Sequence, residues 1–185
     1  MINELKECLW RQFAASIDML KNAIELCPDE HWDRTPKLFY QAYHCLVFLD
    51  YYLTNPPDNF TSALPFSFAD PDHLPPDVLD DLVPERTYSK QESLVYLQAS
   101  REKCRSVISG LSVETINDRW IENPGNMNYA LFEILLYNMR HVQHHAAQMN
   151  LLLRQTIHNA PGWVGRSSDS LSPTNKQINP LNNFL

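Results

Sequence analysis

The run Arg140-His141-Val142-Gln143-His144-His145-Ala146-Ala147-Gln148 gathers three of the chain's seven histidines. Apolar residues surround it at helical spacing. Leu131, Ile134, Leu135, Val142, Met149, Leu152 and Leu153 define one stripe, which predicts a helix that begins after Pro124-Gly125 and continues to about His158. A helix turns about 100° per residue, so His141 and His145 point within about 40° of each other, one turn apart. On the same wheel His145 falls inside the apolar stripe and His141 on its flank. His144 falls at the margin, toward Glu133, Arg140 and Leu151. The inward pair is therefore His141 and His145, with Asn138 and Gln148 beside them as candidate orienting groups.

Two adjacent buried imidazoles are costly unless their polar nitrogens find partners. A metal ion would serve, and so would hydrogen bonds to tyrosine or asparagine; this helix alone does not choose between them. A second segment adds His44, on a face with Tyr40, Phe48 and Tyr51, again at helical spacing and in core-like company. If the two helices are neighbours, His44, His141 and His145 form a facial three-nitrogen set. Such a set leaves coordination positions open, the mark of a catalytic rather than a structural site. One divalent metal ion held by these three residues is the expected cofactor.

Outward from these two segments, the pattern is helical. Leu5, Leu9, Phe13, Ile17, Leu20 and Ile24 mark a first helix that Pro28 ends. Thr35-Pro36 opens the second, a hydroxyl at the N-cap and proline at the first helical position, and it runs to about Thr54 before Pro56-Pro57. Ser89-Lys90-Gln91-Glu92 is a capping-box signature for a third helix with Leu94, Leu97, Cys104, Ile108 and Leu111 on one face. A short helical turn is expected near Glu114. The 55–88 connection holds seven prolines, and a connection this long is usually functional or tied down by packing. The reading is thus an all-α chain: a helical domain over 1–158 and a polar tail over 159–185, which would wrap the domain, bind a partner subunit or move freely.

With 185 residues, a net charge of −7 and four glycines, the chain fits one domain and lacks both a basic surface for nucleic acid and a glycine-rich phosphate cradle. Arg101, Lys103 and Arg105 read as a solvated helix face. The N-terminal segment lacks signal-peptide order, and no apolar run reaches the roughly 20 residues of a membrane span; a cytoplasmic location and no membrane partner are expected. Cys8, Cys27, Cys45 and Cys104 lie far apart, so core-packed reduced thiols are expected.

The block H-x-x-H-H-x-x-Q, here His141, His144, His145 and Gln148, resembles the signature of the DinB-like superfamily. The run from His44 through Asp50 to Tyr51, Tyr52 and Leu53 is similar to that family's other motif, a histidine followed six residues later by an acid and then aromatics. The resemblance extends from the first helix to about residue 156. It implies a four-helix bundle of up-down-down-up topology whose histidine triad holds nickel, zinc or a similar ion such as iron or manganese; by position the ligands are His44, His141 and His145. Ala146-Ala147 stands where relatives often carry arginine or another residue and then glycine.

The resemblance also implies an activity class: metal-dependent transfer of a low-molecular-weight thiol, or hydrolysis. A metal holds a thiol as the nucleophilic thiolate and lowers the pKa of water, so an open site suits either. The expected partner is a small-molecule substrate, such as a thiol. No general base stands out. His144 and Tyr51 are the candidates, while Asp50, about 120° from His44, is expected to face solvent or cap a neighbour. Cys45 points about 100° away from His44 and is not counted a ligand. A non-catalytic metal- or ligand-binding bundle with a stress-linked or interaction role is the alternative, and a purely structural triad a third; a homodimer is compatible with each.

Overall fold

The computed structural model describes residues 1–123 and 125–171, with the side chains of all of these but Arg34 and Pro36. It is mostly helical. The elements are α1 (Ile2–Leu26), α2 (Asp29–Arg34), α3 (Pro36–Tyr52), β1 (Phe66–Phe68), β2 (Leu82–Pro84), α4 (Lys90–Gly110), β3 (Arg119–Ile121), β4 (Asn128–Ala130) and α5 (Leu131–Ile157). The four long helices fall where the apolar periodicity places them. Among the described residues none is long and apolar enough to cross a membrane.

Local chemistry sets the helix ends. At α4, Ser89 Oγ accepts from the Glu92 backbone N–H while the Glu92 carboxylate accepts from the Ser89 backbone N–H, the expected reciprocal cap. At α3, proline occupies the first position as expected, but Thr35 makes no side-chain cap. The last helix ends at His158, whose φ of 55° is the left-handed conformation that closes many helices. Residues 113–117 form turns in which the Ile116 N–H donates to Ser112 O at 3.0 Å, a single helical turn around Glu114 as expected, and Ser112 Oγ accepts from the Glu114 and Thr115 backbone N–H groups.

The expected set of four helices without strands needs two corrections. The six residues of α2 follow directly on Pro28. Two small antiparallel sheets are also present: β1 pairs with β2, placing Ser67 opposite Val83, and β3 with β4, placing Trp120 opposite Tyr129. Strands of three residues are too short to show a period of two in sequence, which is why they escape a search for periodicity. They pin down connections rather than form a layer of the core.

Helix α1 packs on α4 and α5, and α3 packs on the same two helices. The core between them takes Trp10, Phe13, Ile17, Leu20 and Ile24 from α1, Leu38, Leu46 and Leu49 from α3, Ile108 from α4 and Val142 and Met149 from α5, all essentially inaccessible. Cys27, Cys45 and Cys104 are buried free thiols, as expected, whereas Cys8 is exposed. Ala146 is fully buried.

Polar contacts fix α3 against its neighbours. Asn138 Nδ2 of α5 donates to Leu49 O at 2.9 Å, deep in the core. Asp50 neither faces solvent nor caps a helix. Its carboxylate accepts from Lys103 Nζ at 2.5 Å and from the Tyr96 hydroxyl at 2.8 Å, both on α4. The basic residues of α4 are correspondingly not a solvated face. Arg101 and Arg105 lie over the Trp10 ring, 5.0 and 4.6 Å from its centroid, and both engage the Asp169 carboxylate.

That carboxylate belongs to the C-terminal segment, which runs along α1 and α4 as far as residue 171. Trp10 Nε1 donates to Asp169 O at 3.1 Å, the Ser167 N–H to Arg11 O, and the Leu171 N–H to Glu7 Oε2. Of the expected polar tail, 172–185 lie outside the described residues. The 55–88 connection is tied down in the same way. Tyr43 of α3 donates to Leu64 O, Tyr88 to Pro65 O and Trp32 of α2 to Tyr88 O. The connection is thereby held along α3, on the side that carries His44.

Candidate metal centre

The packing of α3 on α5 brings His44 together with His141 and His145. His145 Nε2 lies 3.0 Å from His141 Nε2, and His44 Nε2 lies 3.2 Å from the same atom. The potential ligand atoms of the three residues all lie within 4.8 Å of one another. Three nitrogens bound at about 2.0–2.1 Å to one zinc-sized ion stand about 2.9 to 3.4 Å apart, from octahedral to tetrahedral geometry. The two measured separations fall in that interval.

Each outer imidazole is turned by a group on its far side. Gln41, one turn before His44 on α3, places Oε1 3.0 Å from His145 Nδ1, and its own Nε2 donates to Gln148 Oε1 at 2.7 Å. The amide orientation fixes the tautomer: Gln41 offers His145 an acceptor, so Nδ1 carries the proton and Nε2 keeps its lone pair for the centre. His44 is treated similarly by a carboxylate. Asp80 Oδ2 stands 3.0 Å from His44 Nδ1, at ion-pair distance though outside hydrogen-bond alignment, and the Leu82 backbone N–H holds its other oxygen at 3.1 Å. The negative charge favours the proton on Nδ1, again leaving Nε2 free.

His141 has no such helper; its buried Nδ1 lacks a hydrogen-bond partner. Protonated on Nδ1, it would orphan that N–H and turn three lone pairs toward one another. Protonated on Nε2, it could serve only one neighbour at a time and would leave Nδ1 an orphaned acceptor. One cation would take up all three Nε2 lone pairs at once, which neither protonation state of His141 can do, and in this the residues present fit a metal ion.

Burial and the neighbouring imidazoles keep the rings of His141 and His145 neutral, the form in which they ligate. Desolvation first, then His145, His44 and His144, hold His141 down at about 3. Desolvation, then His44 and His144, hold His145 at about 4. The wall is aromatic: the Phe48 ring centroid lies 4.6 Å from that of His44, and Phe48 and Tyr52 present to His141 at 5.8 Å. A surface cavity of about 540 Å³, lined by Tyr137, Arg140, His141, Gln143, His144 and Ala147, opens beside the cluster.

The remaining sequence candidates sort clearly. His144 is exposed, its ring against the edge of His145. Tyr51 turns its hydroxyl to Glu122 Oε1 at 2.9 Å. Asn138 orients no histidine, because its amide is spent on the α3 backbone. Gln148 does orient the site, but through Gln41. Cys45 is fully buried, and burial raises its thiol well above the usual range, so it is no ligand. Gln41 and Asp80 were missed. Gln41 carries a weak signal, three residues from His44 on the same helix face; Asp80, in an aperiodic connection, carries none.

A sequence profile described as the DinB superfamily matches residues 12–149, a span that includes His44, Asp80, His141 and His145. No curated protein and no solved structure matches the chain.

Proposed function

The chain belongs to the DinB superfamily, and on that premise we propose that it binds one divalent metal ion through His44, His141 and His145 and uses it in catalysis on a small molecule. The convergence of three imidazole nitrogens, two of them turned by Gln41 and Asp80, carries this reading. We further read α1, α3, α4 and α5 as an up-down-down-up four-helix bundle, in keeping with the way each packs on two of the others. Nickel or zinc suits an all-imidazole set best, with iron or manganese as the other candidates.

Two observations favour an enzyme over a closed binding module. Among the described residues the cluster offers three protein ligands and no fourth, and the cavity beside His141 gives a small molecule room to approach. When bound, the ion would supply Lewis acidity toward a thiol or water. The chain's own residues do the rest. Gln41 and Asp80 hold the protons of His145 and His44 away from the centre. Phe48 and Tyr52 limit water on one side, and Arg140 and His144 stand at the mouth, where they would meet substrate first. We favour transfer of a low-molecular-weight thiol, with hydrolysis as the second activity. The proposal includes a cytoplasmic setting, which suits four unpaired cysteines, and a homodimer.

The test is metal content by plasma mass spectrometry on protein made without a histidine tag, alongside His44→Ala and His145→Ala. The expected result is near-stoichiometric nickel, zinc or iron in the wild type, lost in both variants while circular dichroism shows the helices intact. A wild-type protein that stays metal-free after nickel, zinc, iron and manganese are added back would sink the proposal.

A further inference from the structure

Phe48, whose ring packs against His44 and His141, also lines a second cavity of about 230 Å³. Phe48 and Tyr51 of α3 form one wall; Phe60, Phe66 and Phe68 of the 55–88 connection form the other. The rings meet edge to face: Tyr51 and Phe60 with centroids 5.3 Å apart at 72°, and Phe66 and Phe68 5.3 Å apart at 79°. Phe68 is 72% exposed, so the folded chain leaves a large aromatic residue in water at the rim. Among the described residues the charged ones of the wall are Asp81 and Glu122, and no lysine, arginine or histidine lines it.

Rings present their negative faces to a cation, and carboxylates add full negative charge. Glu122 is fixed in place by the Tyr51 hydroxyl, which donates to it at 2.9 Å. An anionic ligand would meet two carboxylates with no compensating base. A neutral apolar ligand would desolvate them for no return.

We propose that this aromatic cavity binds a small organic cation, an alkylated ammonium group seated among Tyr51, Phe60 and Phe68 with Glu122 as its counter-charge. The site stands apart from the metal proposal, because this cavity shares no lining residue with the one beside His141 and, among the described residues, no histidine lines it. A bound cation presses on the ring that also touches His44 and His141, so the two sites share a wall.

The experiment titrates choline into the full-length protein, followed by saturation-transfer NMR and calorimetry. In parallel it titrates 3,3-dimethylbutanol, which has the same shape without the charge. Saturable choline binding is expected, with the neutral isostere about tenfold weaker, the scale of a desolvated cation–aromatic contact. Glu122→Gln and Phe68→Ala should each weaken choline several-fold, and Glu122→Gln should leave the isostere unaffected. Both positions are at the rim, and circular dichroism will show the variants folded. His145→Ala, which removes a proposed metal ligand, should bind choline as the wild type does, so failure of the metal reading and failure of this one are told apart. Equal affinity for choline and isostere, or no saturable choline binding by folded wild-type protein, overturns the proposal.

Discussion

Gln41 Oε1 lies 3.0 Å from His145 Nδ1, on the opposite side of the imidazole from the nitrogen that faces His141. The amide is itself held by Gln148, one turn beyond His145 on α5. Two glutamines on two helices thus decide which nitrogen of His145 carries the proton. The same arrangement makes the metal proposal sensitive to residues that are not ligands.

Replacing Gln41 with Leu should weaken metal binding by about 10- to 100-fold, the usual cost of removing a partner that orients a ligand. Asp80→Asn should weaken it less, since Asp80 is less well aligned with its histidine and partly exposed. Competition with a chromophoric chelator would measure both. Unchanged affinity in Gln41→Leu would mean that the amide merely packs.

Acid should destabilise the metal-free protein in a defined window. His141 and His145 are held at about 3 and about 4 in the folded chain, against an ordinary value near 6.5. Between these limits the unfolded chain binds more protons than the folded one, so stability falls as pH drops from about 6.5 toward 4 and is fully present above it. Urea midpoints at several pH values in the presence of chelator should show the decline, and it should be shallower in His141→Gln. A variant as pH-sensitive as the wild type would show that other groups dominate.

Asp50→Ala should cost about 2 kcal/mol, because it strips an acceptor from the buried Tyr96 hydroxyl and from Lys103 at once. Urea denaturation reads the loss directly. The paired variant Asp50→Ala with Tyr96→Phe should recover part of it, since the orphaned hydroxyl is then gone. If the double variant is additive, the two side chains are not coupled as their 2.8 Å hydrogen bond implies.

Asp169→Ala should lower stability by about 1 kcal/mol, a modest figure because the carboxylate is partly exposed. It should also free the segment around it. Trp10, fully buried beneath Arg101 and Arg105, would then be quenched more readily by acrylamide. No change in either quantity would mean that backbone contacts alone dock the segment.

The helices and the three histidines were legible because both depend on one period. Apolar residues at three- and four-residue steps mark the buried stripe, and the same geometry aligns His141 with His145. What escaped detection depends on partners distant in sequence. Asp80 reaches His44 only because Tyr43, Tyr88 and Trp32 anchor a proline-rich connection that has no period. Arg101 and Arg105 look like solvent residues until Asp169, more than sixty positions later, is seen to hold them. Asp50 misleads for a similar reason: a wheel shows that it points away from His44, but not that α4 waits there with a lysine and a tyrosine.

The histidine cluster joins residues 97 positions apart, His44 to His141, and this sets an order of events during synthesis. Helix α3 leaves the ribosome early, with His44, Gln41 and one aromatic wall already in place. Helix α5 follows only after the whole proline-rich connection and α4. Until then α3 lacks the helix that brings His141 and His145, and the nascent chain holds a single imidazole of the cluster, too weak to retain an ion against competing cellular ligands. The cluster thus becomes complete only once α5 has been made, and its formation reports that this helix has docked on α3.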